Sequence, residues 1–115
     1  MSPQPSWTLA GLRAQIRAFI RDRDWEQFHS PKNLSMSIAI EAAELMECFQ
    51  WQSENGDSPG AAPVPEAVDE LADVLIYCVA MADALGIEDL GSAVLDKLRR
   101  SGEKYPADQF QGRFR

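Results

Sequence analysis

Apolar positions recur along this chain at the three-to-four residue spacing of helices, and no stretch shows the alternation of a half-buried strand. Thr8 can cap a first helix over about Leu9–Arg23, with Leu9, Leu12, Ile16, Phe19 and Ile20 on one face. Asp24–Lys32 interrupts the pattern and Pro31 blocks simple continuation, so Asn33 is the expected N-cap of a second helix from about Leu34 to Trp51. Ser53–Pro65, with two glycines and three prolines, reads as a loop. A third helix starts near Pro65 or Glu66, runs to Leu85 and stops at Gly86. Its Val68, Leu71, Val74, Leu75, Ile76, Val79, Met81 and Leu85 cover most of the circumference, which predicts burial on nearly all sides by chain neighbours or another subunit. A fourth helix covers about Asp89–Arg100 and frays near Gly102, and Lys104-Tyr105-Pro106 closes the fold. The pattern predicts an all-α four-helix bundle in one folded unit, residues 9–106, between a disordered tail over 1–8 and a C-terminal tail over 107–115.

Two polar pairs break the apolar stripes. With Glu41 at zero on a helical wheel, Leu34, Ile38, Leu45 and Cys48 lie within roughly 60° of it, and Glu44 sits at the edge of that face. A glutamate facing core is costly unless something neutralises it. The third helix repeats the anomaly: Glu70 and Asp73 are also three apart, with Val74, Tyr77, Met81 and Ala84 around Glu70. Two antiparallel helices can bring both pairs to one point, and four oxygen donors there suit a hard cation, Mg²⁺ or Mn²⁺. Left unpaired, four such carboxylates repel, and some must take up protons. Glu47, Glu54 and Glu66 read as solvated surface. Di-iron helical bundles draw histidines from Glu-x-x-His repeats, and the only histidine here, His29, lies in a loop.

Composition narrows the possibilities without choosing among them. At 115 residues, 45% hydrophobic and 25% charged, the chain is long enough for one core. A net charge of −7 disfavours nucleic acid and membrane surfaces as partners but leaves room for a phosphorylated ligand brought in by a bound cation. Cys48 and Cys78 read as reduced core thiols. No apolar run reaches a membrane span, Met1–Ser6 lacks signal-peptide architecture, and a cytoplasmic location is the expectation.

Trp25, Phe28 and His29 cluster ahead of Pro31, and Trp51 closes the second helix beside Gln50. These rings are either lids on the core or a platform for stacking a nucleobase, whose edge Gln27, His29 and Asn33 would then read. Tyr77, one turn beyond Asp73, is either a core tyrosine or a sugar contact. Lys97, Arg99, Arg100 and Lys104 complement the C-terminal end of the fourth helix, and Lys97 and Lys104 are also candidates for polyphosphate oxygens. No Ser/His/Asp or Cys/His arrangement offers a covalent mechanism.

Glu41-x-x-Glu44, a gap of 25 residues and Glu70-x-x-Asp73 together resemble the ExxE…ExxD signature of the all-α MazG-like nucleoside triphosphate pyrophosphohydrolases. Arg23–His29, Phe49-Gln50-Trp51, Asp73–Tyr77 and Lys104-Tyr105-Pro106 resemble the dCTP pyrophosphatase branch more narrowly, and the likeness covers about residues 9–106. The resemblance implies a MazG-like bundle completed by oligomerisation, as a homodimer or homotetramer. It implies Mg²⁺ ligands at Glu41, Glu44, Glu70 and Asp73, and substrate contacts at Trp25–His29, Trp51 and Tyr77. The implied reaction is hydrolysis of a nucleoside triphosphate, dCTP or a modified dCTP, to the monophosphate and pyrophosphate. A water oriented or deprotonated by Glu41 or Glu44 would be the nucleophile. The same chemistry on dUTP or a broad set of triphosphates, and a non-catalytic nucleotide-binding helical oligomer, are the alternatives. Two positions depart from the pattern: Ile16 stands where animal members of the branch have a substrate-contacting histidine, and Ser101 where many MazG-like proteins have asparagine.

Overall fold

A computed structural model of the chain describes residues 5, 7–51 and 64–113. In chain order these form α1 (Leu9–Asp22), a 3₁₀ turn (Glu26–Phe28), α2 (Pro31–Glu47), α3 (Val64–Ala84), α4 (Leu90–Lys104) and a one-turn α5 (Ala107–Phe110). No strand occurs among the described residues. Most of the expected loop, residues 53–63, lies outside them, as does most of the expected N-terminal tail.

The helix ends follow local chemistry. Thr8 caps α1, its Oγ1 accepting from the Gly11 N–H at 3.1 Å. The cap of α2 is Ser30 rather than Asn33: Ser30 Oγ accepts from the Asn33 N–H at 3.1 Å. Pro31 then takes the first helical position, where its missing N–H leaves no intrahelical bond unmade. At the other end α2 stops at Glu47, short of Trp51, because the N–H groups of Cys48, Phe49 and Gln50 tighten onto carbonyls three residues back. Gly86, at φ +72°, ends α3 in the left-handed conformation that glycine adopts without strain, and the Ile87 N–H returns to the Ala82 carbonyl. Asp89 caps α4 through the Ser92 N–H at 2.9 Å. The α4 helix passes through Gly102 to Lys104, beyond the expected fraying point, with the pair Arg99–Glu103 at 2.7 Å spanning that glycine. Past Pro106, the expected C-terminal tail begins with α5, whose Phe110 meets Tyr105 edge-on at 5.1 Å.

The main interface is an antiparallel seam between α2 and α3, with α1 packed across α3. Leu34, Ile38, Glu41, Leu45 and Cys48 are covered positions of α2; on α3, Ala67, Glu70, Asp73, Val74 and Tyr77 are partly covered, and Val79, Ala80 and Ala82 are buried. At one end of the seam Ile20, Leu34 and Ala80 form the core, with Ile16, Tyr77 and Met81 packed against it. The carboxylates occupy the other end.

The single chain does not enclose α3 all round: Val68, Leu71, Leu75, Ile76 and Leu85 remain exposed. The apolar side of α4, with Val94, Leu95 and Leu98, is also bare, since α4 packs only sparsely on other helices. The radius of gyration of 17.4 Å exceeds the roughly 13 Å of a self-contained domain of this length.

Leu34, 1% exposed, is the keystone of the small core. Leu34→Ala should cost about 3 kcal/mol in urea unfolding, against roughly 0.5 kcal/mol for Met46→Ala on the exposed side of the same helix.

Candidate metal centre

Glu41 lies two helical turns along the α2 stripe from Leu34, and Glu70 lies on the matching stripe of α3. The antiparallel seam that joins Leu34 to Ala80 therefore also joins the two acidic pairs. Carboxylate oxygens of Glu41, Glu44 and Glu70 all fall within 4.8 Å of one another. Glu41 Oε2 and Glu70 Oε2 are shielded from water and have no hydrogen-bond partner. Burial raises the Glu41 carboxyl above the usual glutamate range, and the hydrogen bond its protonated form can donate to Glu44, with the charges of Glu44, Asp73 and Glu70, raises it further. Glu70 is raised in the same way, by burial first, then by Glu44 and the charges of Asp73 and Asp69. Asp73 is not among the three residues whose oxygens converge, although it is half-buried on the same stripe and its charge acts on both glutamates.

Every charge acting on Glu41 and Glu70 is negative. Three convergent carboxylates, two of them with orphaned oxygens and, among the described residues, no cationic side chain raised against them, fit a hard divalent cation. Cys48 sits one turn beyond Glu44, its thiol donating to the Glu44 carbonyl at 3.6 Å. Burial and the nearby charges of Glu70 and Glu66 push that thiol up, away from the thiolate a soft metal would need.

The aromatic loop stands apart from the carboxylates. Trp25 packs edge-on against Phe19 with ring centroids 5.7 Å apart, and the Arg23 guanidinium lies over the other ring of that pair, 3.6 Å from the Phe19 centroid. Trp25 and Phe28 keep exposed surface, and Trp51 is 81% exposed. The amide donors of the two polar candidates are engaged locally: Gln27 Nε2 with Asp24, Asn33 Nδ2 with the Phe28 carbonyl at 3.0 Å. His29 is half-buried and lines a cavity of about 440 Å³ with Ile20, Arg21, Ala80 and Asp83. Tyr77 is half-buried against the core, between the carboxylates and that cavity along α3. Lys97 and Lys104 are exposed on α4, the latter's ammonium 5.3 Å from the Tyr105 ring centre.

Sequence reasoning missed one constellation. Arg13, on the Leu9–Ile16–Ile20 face of α1, and Arg17 one turn on both donate to Asp83 of α3. The available signal was an arginine on an apolar stripe and an aspartate late in an apolar helix.

With the geometry in hand, comparison with known proteins is informative. The MazG-like family model matches residues 36–113, and the chain belongs to that family. It is 41% identical over 114 residues to dCTP pyrophosphatase 1 of Mus musculus, covering 96% of this chain and 65% of the relative. With dCTP pyrophosphatase 1 of Homo sapiens it shares 43% over 109 residues, covering 92% and 62%. The chain thus spans somewhat under two thirds of the length of these relatives. A crystal structure of a pyrophosphatase from Archaeoglobus fulgidus superposes with a TM-score of 0.76 at 35% identity, over 92% of this chain and 99% of that one.

The raised carboxyls set the sign of a pH effect. The folded chain binds more protons than the unfolded one above the ordinary glutamate range, so metal-free stability falls as pH rises through the raised values of Glu41 and Glu70. In chelator, the melting temperature should fall from about pH 5 to about pH 8. A divalent cation should recover more of it at the higher pH, and Glu41→Gln should flatten the decline.

Proposed function

We propose that this chain is a Mg²⁺-dependent nucleoside triphosphate pyrophosphohydrolase whose preferred substrate is dCTP or a modified dCTP. The observation that carries the reading is the convergence of Glu41, Glu44 and Glu70 with two shielded, unpartnered oxygens. The names of the relatives, and a structural neighbour matched over nearly its whole length, support the same chemistry.

In this reading Glu41, Glu44 and Glu70 hold the cation, and Asp73, one turn along α3 from Glu70, completes the donor set. Bound Mg²⁺ would supply charge neutralisation at the phosphate oxygens. Glu41 or Glu44 orients the attacking water and takes its proton. The nucleotide lies along α3, which acts as a ruler: from Asp73 to Ala80 is seven residues, about 10 Å at the helical rise. A polyphosphate at the carboxylates then carries its sugar past Tyr77 and its base toward the cavity lined by His29 and Ala80. Trp25, Phe28 and Trp51 offer stacking faces beside this path. Gln27 and Asn33 hold the loop that presents two of those faces. Lys97 and Lys104 lie on the helix that the single chain packs least, so their part in polyphosphate binding goes with assembly.

Assembly as a homodimer or homotetramer is supported by the bare apolar residues of α3 and α4 and by the extended radius. Light scattering at micromolar concentration should give two or four chains per particle, and Leu95→Glu with Leu98→Glu should lower that number.

Pyrophosphate release, measured with Mg²⁺ across the common and 5-modified nucleoside triphosphates, should be fastest with dCTP or its 5-modified forms. Glu41→Gln and Asp73→Asn should each lower turnover by at least about 10²-fold with the helical CD spectrum intact. Mg²⁺-dependent turnover retained in both variants would sink the carboxylate model, and no product from any nucleotide would leave a binding protein.

A further inference from the structure

Arg13 is 8% exposed and is the only charged side chain among the described residues to be buried. Each of its three guanidinium nitrogens donates: Nε to Asp83, Nη1 to the Glu88 carbonyl at 2.7 Å, and Nη2 to the Ile87 carbonyl. Arg17, one turn along α1 and largely exposed, grips the same carboxylate through Nε and Nη2, both at 2.9 Å. One aspartate of α3 thus holds two arginines of α1, and one of these also ties down the turn into α4. The bidentate fork fixes both distance and orientation in a way that apolar packing does not. Cavities of about 440 and 470 Å³ flank this cluster, and the apolar support of α1 comes from Ile16 and Ile20 in the small core.

The Trp25–His29 loop inherits its position from α1. The Trp25 N–H returns to the Ile20 carbonyl at 3.1 Å, the Trp25 ring rests on Phe19, and Asp24 turns the chain at φ +55°. On its far side the loop is pinned to α2 through Asn33. Any shift of α1 against the α2–α3 pair therefore deforms the loop.

We propose that Asp83, gripped by Arg13 and Arg17, is the positioning residue that fixes α1 on α3 and so sets the geometry of the Trp25–His29 wall. Asp83 lines the cavity toward which the base is directed, but both of its carboxylate oxygens are taken by the arginines, so its part is to position. It acts through α1 on the ground-state fit of the nucleotide and leaves the carboxylate end of the seam alone. Only the kinetic consequence rests on the nucleotide reading above; the mechanical claim stands on the contacts themselves.

The test compares the full chain with Asp83→Asn and Arg17→Gln, the second breaking only the exposed arm and expected to fold. Amide exchange across residues 24–29 should quicken several-fold in both, while exchange across 38–47 and 66–76 keeps its wild-type rate. KM for the preferred triphosphate should rise about tenfold in Asp83→Asn, with kcat within about threefold and the half-saturating Mg²⁺ concentration unchanged. Asp83→Glu, which keeps the charge, should restore part of the loss. Unchanged exchange across 24–29 in both variants, or a fall in kcat at constant KM, would overturn the assignment. If the wild-type chain releases no pyrophosphate from any nucleotide, the enzymatic reading fails, and the exchange rates still decide the role of Asp83.

Discussion

Glu41, Glu44 and Glu70 bring carboxylate oxygens within 4.8 Å of one another on the seam where α2 meets α3. The same seam that gains from burying Leu34 against Ala80 must, two to three turns away, tolerate charges that repel and have lost water. The antiparallel register makes these two ends inseparable, since sliding one helix to relieve the repulsion would pull the core apart. A cation at the acidic end would resolve the conflict in place. The carboxylates are thus a constraint on the fold as much as a reagent.

The remaining architecture compensates for a thin core. Leu34 and Val79 are the only large side chains fully buried among the described residues. Two arginines and one aspartate fasten α1, and a single glycine turn carries the chain into α4. Burial by itself would raise Asp83, but hydrogen bonds from Arg17 and Arg13 outweigh it and hold the carboxyl below its usual range. At neutral pH this tie therefore stays charged, while the glutamates of the seam are pushed toward their protonated form. The molecule keeps one acidic group paired with cations and leaves another set in want of one.

Much of this was readable in the sequence, for reasons that also explain what was not. The spacing of apolar residues reports faces of single helices, so Leu34, Ile38, Glu41, Leu45 and Cys48 were correctly placed on one covered stripe. The wheel put Asp73 on the stripe with Glu70, but it could not tell that its oxygens stay outside the group formed by the other three. Ser30 and Asn33 flank Pro31 and both are good caps. The preference of proline for the first helical position decides for Ser30. Gly102 reads as a stop, yet the Arg99–Glu103 ion pair spans it and α4 runs on to Lys104. The Arg13–Asp83 contact joins positions 70 residues apart, beyond what periodicity within one helix can reveal.

Burial and the negative charges around them make Glu41 and Glu70 hold protons more tightly than an ordinary glutamate does. Without a cation the cluster is therefore a small proton store. A cation entering it must displace protons, so the heat of binding carries the ionisation enthalpy of whatever buffer receives them. Repeating the titration in buffers of different ionisation enthalpy would count those protons directly, and with them the charge that the seam carries when it is empty.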